Sequence, residues 1–265
     1  MEMRMQFILI SLLAGVIGMG LGSVFTIVLG KRSDKMISIL LSFAGGVMIS
    51  IVFLELLPVA FEHSNIVITI VGLIAGALMV WVLSSIMDKA TVHNDEISKL
   101  HETYAEFFHS NEVIASRKTL LRSGMIMLFA IALHNVPEGL AMGAAGYHDF
   151  NLGVTIAIII GIHNIPEGMA VAAPLYAGGL SKIKSVLLTI LAGATTIIGT
   201  VAGVLIGGIS DLAVAVSFAV AGGAMMYVVL GEILPQSIVT SKDRIPTVVA
   251  LLGIITGILF TAIIA

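Results

Sequence analysis

Cysteine is absent from the 265 residues. That excludes disulfides and thiolate metal sites, and leaves the redox compartment undetermined. Charge is nearly as scarce: 11% of residues carry it, against about 25% in an ordinary soluble domain. Thirteen basic and 16 acidic side chains could not cover a soluble globule of this size. A net charge of −3 leaves no basic excess to suggest a nucleic-acid partner. What the chain does have is apolar surface, with 58% hydrophobic residues and a mean hydropathy of +1.11. Soluble enzymes, nucleic-acid binders and disordered chains fit poorly, and an integral membrane protein fits.

About 20 apolar residues cross the hydrocarbon core. Long apolar runs predict eight spans, at 6–29, 36–61, 65–87, 119–146, 150–176, 185–208, 212–238 and 245–265, four of them with an acidic residue well inside. The first lacks the basic start and small-residue cleavage site of a signal peptide, and is kept as a span. Twelve of the thirteen basic residues fall in or beside alternate loops. They are Lys31, Arg32 and Lys35; Lys89, Lys99, Arg117, Lys118 and Arg122; Lys182 and Lys184; Lys242 and Arg244. The positive-inside rule makes those loops cytoplasmic and puts both termini outside.

The one long loop, about 88–118, holds His93, His101 and His109 among six acidic residues. Ile97, Leu100 and Tyr104 recur at helical spacing, which predicts an amphipathic helix on the membrane surface. Two readings stand for its histidines: a metal-buffering loop, or side chains that are simply solvated. Eight residues of helix rise about 12 Å, so adjacent histidines share an ion only if the segment bends.

Two stretches repeat. Ala44–Pro58 (AGGVMISIVFLELLP) and Ala221–Pro235 (AGGAMMYVVLGEILP) match without a gap at eight of fifteen positions, pairing Glu55 with Glu232 and Pro58 with Pro235. Ile131–Ala141 (IALHNVPEGLA) returns in the next span as Ile160–Ala170 (IGIHNIPEGMA). In the predicted topology the copies of each pair run in opposite senses, and inverted repeats around a central site characterise secondary transporters.

The second pair carries chemistry. His134 and Glu138 are four apart, as are His163 and Glu167, so each pair shares a helix face. Two such helices crossing offer two imidazoles and two carboxylates to one divalent ion. Asn135 and Asn164 add amide oxygens beside that face. Pro137 and Pro166 each remove a backbone hydrogen bond and free the carbonyl four residues back. Gly139 and Gly168 permit close helix contact. Interhelical hydrogen bonding is the bland account, but carboxylates deep in a span are costly and usually functional. Imidazole and carboxylate without sulfur favour Zn²⁺, Fe²⁺ or Mn²⁺ over Cu⁺. Two such carboxylates would repel without a metal and retain a proton, so metal entry would displace protons.

Glu55 and Glu232, each three residues before the proline of its repeat, have two readings. They are transient ligands at the outer entrance and inner exit, or carboxylates reaching interfacial water. Glu62 and His63, and His148 with Asp149, have two readings as well: they gather metal outside, or are solvated short-loop side chains.

HNVPEG and HNIPEG on consecutive spans, with eight spans and outward termini, resemble the ZIP family of divalent-metal transporters, in particular its prokaryotic ZupT- and GufA-like branches. The resemblance implies a three-plus-two-plus-three all-α bundle with inverted repeats, forming a single transmembrane domain over residues 1–265. It also implies metal passage between the second, fourth, fifth and seventh spans, elevator-like movement, and homodimers in a prokaryotic inner membrane. The first metal position implied is His134, Glu138, His163 and Glu167. A second would use Asn135, Asn164, the same two glutamates as bridges and a sixth-span glutamate, where this chain has Thr196. On this reading the metal, Zn²⁺ first and Fe²⁺, Mn²⁺ or Cd²⁺ next, is cargo taken up into the cytoplasm, and the chain needs no cofactor.

Two other classes compete. An intramembrane metal-dependent hydrolase would use the same ion to activate water, with an open coordination position and a general base. No HExxH occurs here, and inverted symmetry has no evident purpose in such an enzyme. A membrane metal sensor using the histidine loop would need a soluble output domain, and none is read here.

Overall fold

The structure is a computed structural model that describes residues 2–29, 34–91, 117–206, 210–241 and 243–264. The described residues are helical throughout apart from turns, with no strand among them. This follows from the solvent, since backbone polar groups in hydrocarbon must pair within their own segment. Eight helices are long and apolar enough to span a membrane: Met5–Leu29, Asp34–Glu62, Ile66–Ile86, Leu120–Tyr147, Gly153–Ala177, Lys182–Leu205, Leu212–Ser241 and Ile245–Ala262. They coincide with the eight apolar runs to within a few residues. The expected amphipathic helix and the three loop histidines, His93, His101 and His109, lie outside the described residues.

The spans pack mainly as two groups. The first, fourth, fifth and sixth pack on one another, as do the second, third, seventh and eighth. Gly46 and Gly223, the same position in the two AGG copies, show why glycine recurs there. A Cβ on Gly46 would overlap the Ala250 carbonyl of the eighth span, and one on Gly223 the Leu73 carbonyl of the third. Each copy thus rests backbone to backbone on its own neighbour. The second, fourth and fifth spans are the most buried, while the third and eighth are mostly exposed. Ile70, Val71, Ile74 and Leu78, with Leu251, Leu252 and Ile255, present the apolar outer faces a bilayer requires.

Three local features go beyond the hydropathy pattern. The second span contains a π-helical turn at Val52–Leu56, and the seventh has another at Val229–Ile233. Both lie just before the repeat prolines, and they fall on matching positions of the sequence repeat. The sixth span is interrupted at Thr195, between helices Lys182–Ala194 and Thr196–Ile206. Thr195 Oγ1 lies within hydrogen-bond distance of two carbonyls there, Ala132 and Ala192, each at 2.7 Å.

Candidate metal centre

The two HN-x-PEG segments lie inside continuous helices, Arg117–His148 and Phe150–Ala177, which run through Pro137 and Pro166. Gly139 and Gly168 bring each helix against a neighbour. A Cβ on Gly139 would overlap the Thr196 carbonyl of the sixth span, and one on Gly168 the Met19 carbonyl of the first. The glycines therefore hold the motifs tightly against neighbouring backbone. His134, Asn135, Glu138, His163, Asn164 and Glu167 are all buried.

Their ligand atoms converge. His134 Nε2 stands 2.8 Å from Glu138 Oε1 and 3.5 Å from Glu167 Oε1. His163 Nε2 is hydrogen-bonded to the same Glu138 Oε1 at 2.9 Å. One atom each from His134, Glu138 and Glu167 lies within 4.8 Å of the others. A tetrahedral zinc with ligands at about 2.0–2.1 Å spaces them about 3.4 Å apart, so small side-chain adjustments would close the three around one ion. His163 stands beside this group through Glu138 and also faces Glu55, whose Oε2 is 3.6 Å from His163 Nδ1.

The hydrogen bonding of this cluster is incomplete. Among the described residues ten buried side-chain nitrogen or oxygen atoms lack a hydrogen-bond partner, and nine belong to these six residues. They include both ring nitrogens of His134, both oxygens of Glu167, Glu138 Oε2 and both amide atoms of Asn164. His134 Nε2 is near Glu138 yet misaligned for a hydrogen bond. Each such orphan costs about 1–3 kcal/mol, so hydrogen bonding alone does not account for collecting nine in one place. A cation would use imidazole and carboxylate lone pairs together and neutralise the two acids.

The second position expected from the resemblance looks different. Asn135 Nδ2 donates to the Ala192 carbonyl at 3.0 Å, and the Thr196 hydroxyl donates to Gly193 at 2.8 Å. Thr196 is fully buried and brings no charge to the site.

Glu55 and Glu232 do not stand at helix ends. Both sit inside the π-turns, with helix continuing beyond them to Glu62 and Ser241. Glu55 accepts a hydrogen bond from Thr261 Oγ1 at 3.0 Å. A cavity of about 320 Å³ joins exposed Glu62 to Glu55, His163 and Glu138, passing Val59, Ile156 and Phe218. Glu232 is buried instead, 3.6 Å from Arg122 Nη1, and accepts from Ser123 Oγ at 3.1 Å. His63 is half-buried at the end of helix Leu57–Glu62, whereas exposed Asp149 accepts from the Asn151 amide. His148 ends helix Arg117–His148, and its side chain lies outside the description. Sequence reasoning has no role for Thr261, Ser123 or Gln236 and reads Arg122 only as an orienting charge. No local motif marks them.

Comparison with known proteins gives consistent matches. The family model described as "ZIP Zinc transporter" matches residues 83–265. A zinc transporter ZupT of Akkermansia muciniphila is 32% identical over 272 residues, covering 97% of this chain and 95% of its own. Another, of Campylobacter jejuni, is 31% identical over 281 residues, covering 96% and 94%. A third, of Chlorobaculum parvum, is 30% identical over 264 residues, with the same coverage of 96% and 94%.

Proposed function

The chain belongs to the ZIP zinc-transporter family, and on that premise we propose that it carries Zn²⁺ into the cytoplasm through the site built by His134, Glu138, His163 and Glu167. It is a multi-pass membrane protein and a divalent-metal transporter rather than an enzyme; the hydrolase reading finds no support in this family. One observation carries the site assignment: nine orphaned polar atoms gathered on six buried residues of the paired motifs. Fe²⁺, Mn²⁺ and Cd²⁺ are secondary cargo, since such a donor set follows the intrinsic affinity order of the ions.

In this reading metal enters past Glu62 and Glu55, passes to His163 and settles among His134, Glu138 and Glu167. Glu232 receives it on the release side. Support comes from the cavity that joins Glu62 to Glu138 and from Glu55 lying 3.6 Å from His163. The matched repeats support alternating access by exchange of two equivalent arrangements, in which the two groups of four spans shift against each other. Basic loops orient the protein with its termini outside, in a prokaryotic inner membrane and as a homodimer.

The test is purified protein in liposomes with a zinc-sensitive dye trapped inside. Zinc entry should exceed that of His134→Ala and Glu167→Ala liposomes by at least about tenfold, the loss expected when a ligand itself is removed rather than its supporting shell. Equal dye responses would sink the proposal.

A further inference from the structure

Glu55 and Glu232 occupy equivalent positions of the repeat, yet they hold different partners. Glu55, on the second span, faces His163 of the fifth at the floor of the open cavity. Glu232, on the seventh, faces Arg122 of the fourth. Around it Ser123 Oγ donates to Glu232 Oε2 at 3.1 Å and stands 3.4 Å from Gln236 Oε1, while Gln236 Nε2 donates to Thr240 Oγ1 at 3.1 Å. Each glutamate therefore bridges the two groups of spans.

The motif repeat pairs His163 with His134, so the counterpart of Glu55 facing His163 is Glu232 facing His134. That counterpart is not made here. Arg122 lies twelve residues before His134 on the same helix, about 18 Å of helical rise. Glu232 cannot hold Arg122 and reach the His134 site together. The two contacts exclude each other.

We propose that Arg122 is a bolt on the release side, a positioning residue whose guanidinium holds Glu232 until a divalent cation takes its place. The proposal rests on the transport reading above. The pair stands at 3.6 Å with both side chains largely out of solvent. Removing one member of a buried pair strands the other's charge. Arg122 therefore leaves as another cation arrives and returns when it departs. Exchange of one cation for another keeps the release side shut while the Glu55 side is open.

Because the chain has no cysteine, single reporters can be read cleanly. Val59→Cys reports the Glu55 cavity, and Thr240→Cys reports the polar cluster around Glu232. Labelling by a water-soluble maleimide, on the full chain in detergent micelles, should be fast at position 59 and slow at 240. Arg122→Ala should speed labelling at 240 and slow it at 59, each by about tenfold, as a shifted two-state population requires. Arg122→Lys should restore both rates. Unchanged rates would overturn the bolt. So would faster labelling at both positions, which reports a loosened fold. Zinc entry into liposomes of the parent chain tests transport separately, and its failure would leave the labelling result readable.

Discussion

His163 Nδ1 lies 3.6 Å from Glu55 Oε2, while its other ring nitrogen is hydrogen-bonded to Glu138 at 2.9 Å. One imidazole thus faces both the cavity carboxylate and the buried one. Glu55→Gln removes a charge from the approach and leaves the inner group of His134, Glu138 and Glu167 intact. Half-saturating zinc for dye-reported uptake should rise severalfold, with a smaller change in maximal rate. An unchanged half-saturation would remove Glu55 from the path.

Thr261 orients that carboxylate from the eighth span. Thr261→Val keeps the shape and deletes the hydroxyl, a loss of about 0.5–1.5 kcal/mol in a typical hydrogen bond. The expected result is a rise in half-saturating zinc in the same direction as Glu55→Gln, but smaller. Combined with Glu55→Gln it should add little, because the two act through one contact.

The inner site should hold one ion tightly. Thr196 brings no charge where the resemblance implies a glutamate, and its hydroxyl is given to Gly193. Equilibrium dialysis with metal analysis should find one zinc per chain in the parent and none at the same free zinc in Glu167→Ala. Two tightly held ions would show that Asn135 and Asn164 complete a second site without the acid.

Backbone contact at Gly139 gives a stability test. A methyl group there meets the Thr196 carbonyl, and overpacking of this kind costs about 1–3 kcal/mol. Gly139→Ala should lower the thermal midpoint in detergent. Gly179 has nothing near its Cβ position but has a φ of 109°, so Gly179→Ala tests backbone strain at the turn after the fifth span without crowding.

Outside the spans, Asp243 offers a pH test. Ser241 Oγ and then the Ile245 amide donate to its carboxylate at 2.6 and 2.9 Å, and hold it below its ordinary value of 3.8. The ionised form is thus favoured in the folded chain. Its contribution is complete above the ordinary value and is lost as pH falls through the lowered one. Protection of the Ile245 amide, taken against its intrinsic exchange rate at each pH, should hold at neutral pH and fall selectively on strong acidification. In Asp243→Ala it should already be low at neutral pH.

Much of this is legible in the order of residues alone. Long apolar runs mark all eight spans, and the paired motifs mark the six buried residues that share nine orphaned atoms. Spacing four apart fixes which side chains share a helix face; it does not fix how two helices cross. That is why a symmetric four-ligand set resolves into a compact trio with His163 beside it. The π-turns stay hidden because hydropathy does not record hydrogen-bond register. Arg122 counts among the orienting charges, but its pairing with Glu232, three spans further along the chain, is purely tertiary.

The matched π-turns also set which way the helix beyond them faces. A π-turn amounts to one residue inserted into an α-helix, and it stays only where something holds the irregular register. Here the same insertion stands before the same proline in both copies of the repeat, Pro58 in one and Pro235 in the other. One extra residue turns the helix beyond it by about 100° relative to an uninterrupted α-helix. In both copies the segment after the turn, from Leu57 and from Leu234, therefore presents a face that the preceding helix alone would not place there.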